Sequence, residues 1–153
     1  MAEDPPNEHD VGGLHLALSS LPGDDSQCLH RARSIYPGAY MSKPLMILVA
    51  GPYRSGTNGD PALIQANVRA MTEVALRLFR MGHLPVLGEW FAFPLIEHAG
   101  SKRIGDAIFD EIFHPISRDL VVHCDGCLRI GGASKGADEM VHLARSRGRA
   151  IFT

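Results

Sequence analysis

The run LMILVA at residues 45–50, leading straight into GPYRSG, constrains the fold more than any other stretch. Six apolar residues in succession leave no polar face, so a strand here must be covered on both sides, as in a parallel sheet. The glycine-rich loop after it predicts a β-α-β unit. A helix is expected over 61–82. Pro61 fits the first helical position, Asp60 can cap it, and Gly82 can stop it. Leu63, Ala66, Ala70, Val74 and Leu78 recur at intervals of three or four, which is the helical period. HLPVL, 83–87, is the second strand, joined to the first by a crossover expected to be right-handed.

The rest of the chain repeats this alternation. GEWFAFPLIEHAGSKR, 88–103, reads as a long aromatic loop or a broken helix. IGDAIFDEIF, 104–113, predicts a short amphipathic helix, and Pro115 is expected to begin a separate one in PISRDLVVHC. GCLRI, 126–130, is a third strand, the helix of ASKGADEMVHLARSRG follows, and RAIF, 149–152, is the last strand. Strands alternating with helices predict an α/β fold: a small doubly wound parallel sheet, Rossmann-like, with helices on both faces. Residues 1–40 hold only short apolar pieces among Pro, Gly and acidic residues. They are expected to form an extension, partly ordered at best or packed on a partner, with the compact domain over 41–153.

Several function classes fall away. The formal charge is −2, from 15 basic and 17 acidic residues, and no basic stretch is long enough for a nucleic-acid groove. No apolar run reaches membrane-spanning length, and the first residues lack the basic start and apolar stretch of a secretory signal. No membrane partner is expected, and the expected location is cytoplasmic. The three cysteines do not make a disulfide scaffold. Cys124 and Cys127 have redox-motif spacing, but they close a helical pattern and enter a strand, where a redox pair follows a strand and opens a helix. His114 and His123 lie near in sequence without matching a zinc pattern. No metal and no cofactor is expected.

Chemistry is expected at the carboxyl ends of the strands, where open α/β sheets bind ligands. Two loops occupy that edge, GPYRSGTNGD at 51–60 and GGASKG at 131–136, and their amides can cradle an anion. Neither a Walker A motif nor a dinucleotide fingerprint is present in the first. It offers Gly51, Tyr53, Arg54, Ser55 and Gly56, with Arg54 as its cation for a phosphate or a sugar hydroxyl, or simply as a solvated arginine. In the second, Ser134 can cap the last helix, and the same turn with Gly136 can bind phosphate. Asp138 and Glu139 follow. Met140, Leu143 and Ala144 should face the sheet, which turns Asp138 outward and brings Glu139 toward the crevice. A carboxylate there suits nucleophilic glycosyl transfer, and a solvated helix-terminal acid is the plainer alternative. Asp119, Asp125, Asp110 and Glu89 are candidate second acids that sequence does not rank, although a turn position for Asp125 would put it at the amino end of its strand. Glu89 and Trp90 begin EWFAF, which can be a base-stacking lid or ordinary packing.

Taken in order, ILVAGPYRSG, NVRAMTEVALRLFRMGHLPV and RDLVVHCDGCLRIGGASKGADEMVHLARSRGRAIF resemble the nucleoside 2-deoxyribosyltransferase-like superfamily over residues 45–152. That superfamily includes deoxynucleoside 5′-monophosphate N-glycosidases. The resemblance implies hydrolysis of the N-glycosidic bond of a (2-deoxy)nucleoside 5′-monophosphate, with Glu139 as nucleophile and a covalent glycosyl-enzyme. It matches Ser134, Gly136 and the Arg54 loop to the region that holds the 5′-phosphate. Asp125 matches a position before the third strand that is structural or supports the site, and Asp119 is carried with it as a catalytic candidate. The alternatives are a deoxyribosyltransferase and a non-catalytic nucleotide-binding module. Departures from the family pattern tilt the expectation toward hydrolase over transferase. Leu48 stands where transferases often carry Tyr, Ser134 to Glu139 is an interval of only five, and the sequence ends at Thr153 without the polar tail of many transferases. The implied partners are a small-molecule nucleotide or nucleoside and further copies of the chain in a homo-oligomer.

Overall fold

The computed structural model describes residues 43–153. The extension expected at 1–40 lies outside the described residues. Along strand β1 (Met46–Ala50) successive side chains alternate between two faces, and both are apolar. Ile47 and Val49 join Met71, Ala75 and Leu78 of helix α1 (Pro61–Arg80) in one core cluster. Leu48 and Ala50 join a second cluster on the other face. The absence of a polar face in LMILVA is thereby explained.

Helix α1 starts as the sequence predicts. Asp60 accepts a hydrogen bond from the Ala62 amide at 2.8 Å, and Pro61 occupies the first turn. The chain then enters β2 (Leu84–Val86), helices α2 (Gly88–His98) and α3 (Ala107–His123), strand β3 (Gly126–Arg129), helix α4 (Lys135–Ser146) and strand β4 (Ala150–Phe152). The sheet order is β2-β1-β3-β4 and every pairing is parallel, with Leu48 opposite both Val86 and Cys127. Helix α1 covers one face. Val121 of α3 with Ala137, Met140 and Ala144 of α4 covers the other. This is the doubly wound, Rossmann-like α/β arrangement read from the sequence.

Two expectations are corrected. EWFAF lies within a regular helix, α2, with Pro94 inside it, and the chain from 107 to 123 is one helix across Pro115. An interior proline costs roughly 3 kcal/mol by forfeiting a backbone bond and crowding the preceding turn. Both helices recover that through packing. Ala92 and Ile96 of α2 and Phe109 of α3 form a buried cluster, with Phe93, Ile112, Phe113 and Ile116 packed against it. Helix α3 also has a strong start. The Asp106 carboxylate accepts from the amides of Phe109 at 2.8 Å and Lys102 at 2.9 Å, and from Ser101 Oγ at 2.9 Å. These bonds, the one from Phe109 foremost, hold its pKa down at about 2.

Cys124 and Cys127 are free thiols and fully buried. Burial is the main cause that pushes Cys124 up to about 11 and Cys127 up to about 12. A maleimide added to the folded protein should leave both unmodified and label both after denaturation, read by mass spectrometry of the peptides. Among the described residues no helix is long and apolar enough to cross a membrane.

Candidate active site

The loop after β1 runs to α1 on one face of the sheet, while the loop after β3 runs to α4 on the other. Between them the strand ends open into a crevice, the topological switch point of the fold. A cavity of about 210 Å³ sits there, floored by Leu48, Val49 and Ala50. It gathers Gly51, Tyr53, Arg54, Ser55, Glu89, Ser134, Gly136 and Glu139, eight of the residues picked out from the sequence.

The first loop is held in place by its own bonds. Buried Thr57 donates through Oγ1 to the Arg54 carbonyl at 2.7 Å and accepts from the Gly59 amide at 3.2 Å. Asn67 of α1 donates to the Tyr53 carbonyl at 3.0 Å. The Tyr53 ring packs against Phe93 and Phe113, with centroids 5.3 and 5.8 Å away. Burial raises the Tyr53 phenol, nearby Glu89 adds to the rise, and Arg54 opposes it.

The second loop is clamped by Arg129. Its guanidinium donates to the carbonyls of Ile130 and Gly132 and, through Nε, to Asp138 at 2.8 Å. Asp138 therefore points outward, as expected. Ser134 is buried and caps α4, accepting from the Ala137 amide at 3.4 Å. Met140 and Ala144 are buried against the sheet, which leaves Glu139 beside the crevice with its side chain 41% exposed.

Glu139 is ion-paired. Arg118 of α3 donates from Nε to Oε1 at 2.9 Å, and its Nη2 lies 2.8 Å from the same oxygen. Among the described residues no hydrogen bond reaches Oε2. A second cleft of about 510 Å³ adjoins the first, walled by Arg118, Lys135 and His114. The two spaces share Asp110, His114, Gly136 and Glu139, so the Glu139 carboxylate stands at their junction.

Glu89 is the one buried carboxyl of the inner cavity, which Asp110 also lines, and it is only 7% exposed. Burial raises its pKa from the ordinary 4.5, and its own backbone N–H opposes that only in part. Among the described residues it makes no ion pair.

Four residues picked from the sequence do not line the cavity. Gly56 forms the turn of the first loop, where its φ of 76° favours glycine. Trp90 is 44% exposed on the outside of α2, while Phe93 from the same stretch packs inward. Asp119 is exposed on α3. Asp125 stands at the amino edge of the sheet, as a turn position implies. Its Oδ2 accepts from the Met46 amide at 2.8 Å, its amide donates to the Met46 carbonyl at 2.8 Å, and its carbonyl accepts from Ala150 at 3.2 Å. It ties the starts of three strands together, at the opposite end of the sheet from the crevice.

From α3 the sequence offered Asp110 only as one of four unranked acids, and the face it belongs to was missed: Asp110, Phe113, His114 and Ser117 all line the crevice. Their spacing of three, four and seven is a helical face. Pro115 concealed it, because a helix broken there does not carry a face across the break.

Among the described residues no group of three or more His, Cys, Asp or Glu side chains is placed to hold a metal ion. No family model, curated protein or solved structure matches the chain.

Proposed function

We propose that the crevice hydrolyses the N-glycosidic bond of a 2-deoxynucleoside 5′-monophosphate through a covalent intermediate on Glu139. The supporting observation is the position of that carboxylate. It stands at the junction of two clefts, at the carboxyl ends of parallel strands, with Arg118 on Oε1 and Oε2 without a partner among the described residues. An oxygen so placed can attack C1′ of a sugar while the base leaves with the electrons of the broken bond. Water then attacks C1′ and releases Glu139. The amides at Ser134 and Gly136, with Arg54 and Ser55, supply contacts for the 5′-phosphate. The ring wall of Tyr53 and Phe113 supplies a surface for the base. A cytoplasmic setting and a homo-oligomer go with this reading.

One observation favours a second class. An ion pair between α3 and α4 is also an ordinary way to pin two helices, and a nucleotide-binding module without catalysis would use Glu139 in that role. Incubation with matched nucleosides and nucleoside 5′-monophosphates, followed by chromatography for free base, separates the two. Release from a 2-deoxynucleotide is expected; tight binding with no release from any of them establishes the module. Calorimetry on the same pairs should show the monophosphate binding more tightly than its nucleoside. Arg54→Ala should weaken the monophosphate alone, by about tenfold for one lost charged hydrogen bond. Equal affinities for each pair would remove the phosphate site.

A further inference from the structure

We infer that Glu89 is the proton donor to the departing base and that it later takes the proton from the attacking water. This rests on the proposed reaction at Glu139 and adds the second carboxyl that such a reaction requires. The fold ranks the four acids that the sequence leaves equal. Asp125 is spent on the Met46 amide at the far edge of the sheet. Asp119 faces solvent on α3. Asp110 reaches the crevice, but at its mouth, with His114 Nε2 3.9 Å away and more than half of its side chain exposed. Glu89 alone is buried within the same cavity as Glu139.

Its position is fixed from below. Glu89 is the second residue of α2, and that helix starts hard against α3, where a Cβ on Gly88 would stand 2.5 Å from Ser117 Oγ. The carboxyl is therefore delivered by a rigid helix start, beside the Tyr53 ring wall. The titratable groups around the cavity are Tyr53 and Arg54 from the first loop, Asp110 and His114 from α3, and Glu139 from α4. Among the described residues none of them forms an ion pair with Glu89. Glu139 and Glu89 thus share one space in contrasting surroundings: Glu139 beside a guanidinium and 41% exposed, Glu89 buried without an ion pair among the described residues. Such pairs divide acid and nucleophile roles between them.

The step balances. As an oxygen of Glu139 bonds to C1′, the C1′–N bond breaks and its electrons go to the base nitrogen, which takes the proton from Glu89. Glu89, now a carboxylate, removes a proton from water as the water oxygen bonds to C1′ and the Glu139 ester opens.

Two substrates with a common sugar phosphate test it, one carrying a purine and one carrying 4-nitrophenoxide, which leaves without a proton. In the first turnover, before the glycosyl-enzyme is hydrolysed, Glu89→Gln should slow purine release by about 10²–10⁴-fold and 4-nitrophenolate release by less than about tenfold. Glu139→Gln should slow both. In wild type the purine rate should fall as pH rises through the Glu89 pKa, and this limb should vanish in Glu89→Gln. Equal first-turnover slowing of both substrates by Glu89→Gln, or of neither, overturns the proton-donor role while leaving Glu139 in place. A wild type that cleaves neither substrate overturns the reaction itself and this role with it.

A melting series shows that the variant is folded. Glu89 is raised in the folded state, so the stability from its neutral form is full below 4.5 and is lost as pH rises through the raised value. Glu89→Gln should flatten that decline and melt no lower than wild type at neutral pH.

Discussion

Replacing Glu139 with Gln should leave a folded protein that binds its nucleotide and releases base at least about 10³-fold more slowly, a loss of about 4 kcal/mol of transition-state stabilisation. Gln keeps the size of the side chain and loses the anion that attacks C1′. The fold tolerates the change because the α4 core contacts come from Ala137, Met140 and Ala144, and the helix start is held by Ser134 and the Arg129–Asp138 clamp. What is removed besides the nucleophile is an ion pair about half open to solvent on both sides, worth little to stability. Single-turnover base release and calorimetric binding, measured on the same preparation, separate chemistry from affinity. A variant as active as wild type would return Glu139 to the role of a helix-pinning acid. One that loses binding and turnover together would point instead to a residue that holds ligand.

The sheet was legible because its residues answer to local rules. LMILVA has no polar side and must lie between two layers, and Asp60-Pro61 starts a helix wherever it stands ahead of an apolar period. The loops at the strand ends could be assigned to the crevice from order alone, since strand-to-helix loops of a parallel sheet share one edge. Tertiary packing decided the rest. Pro94 and Pro115 break helices by local rules, and here the packing of Phe93, Ile96, Phe109 and Phe113 outweighs them. That same packing brings Phe113, His114 and Ser117 into the crevice beside Asp110, so missing the continuous helix left Asp110 an unranked acid and hid the rest of that wall. Trp90 and Phe93 lie three positions apart in an aromatic run; which of them turns inward depends on where α3 lies, which the run itself does not encode. Arg118 and Glu139 are 21 positions apart, and only the packing of α3 on α4 makes them partners.

Leu78→Ala should be the most damaging single truncation for stability, costing about 2–5 kcal/mol. Leu78 is fully buried and belongs to the cluster of Ile47, Val49, Met71, Ala75, Leu87, Leu128 and Phe152. The loss combines the hydrophobic transfer of the removed groups with a cavity that a strand-backed site closes poorly. For a folded unit of about a hundred residues it should lower the melting temperature by roughly 10–20 °C. Its effect on the site should be small, for a topological reason. Helix α1 leaves the crevice at Pro61 and runs back along the sheet, so Leu78, near its last turn, lies toward the amino edge, where the chain enters β2. Arg54, Glu89 and Glu139 stand at the other edge, and Val121, Ala137 and Met140 pack on the other face. Activity per folded molecule, measured well below the lowered melting temperature, should therefore match wild type. A melting temperature that hardly moves would mean that the α1 layer collapses around the gap. Lost activity in a fully folded Leu78→Ala protein would mean that α1 transmits strain along its length to the Tyr53–Arg54 loop, which Asn67 ties to it at 3.0 Å.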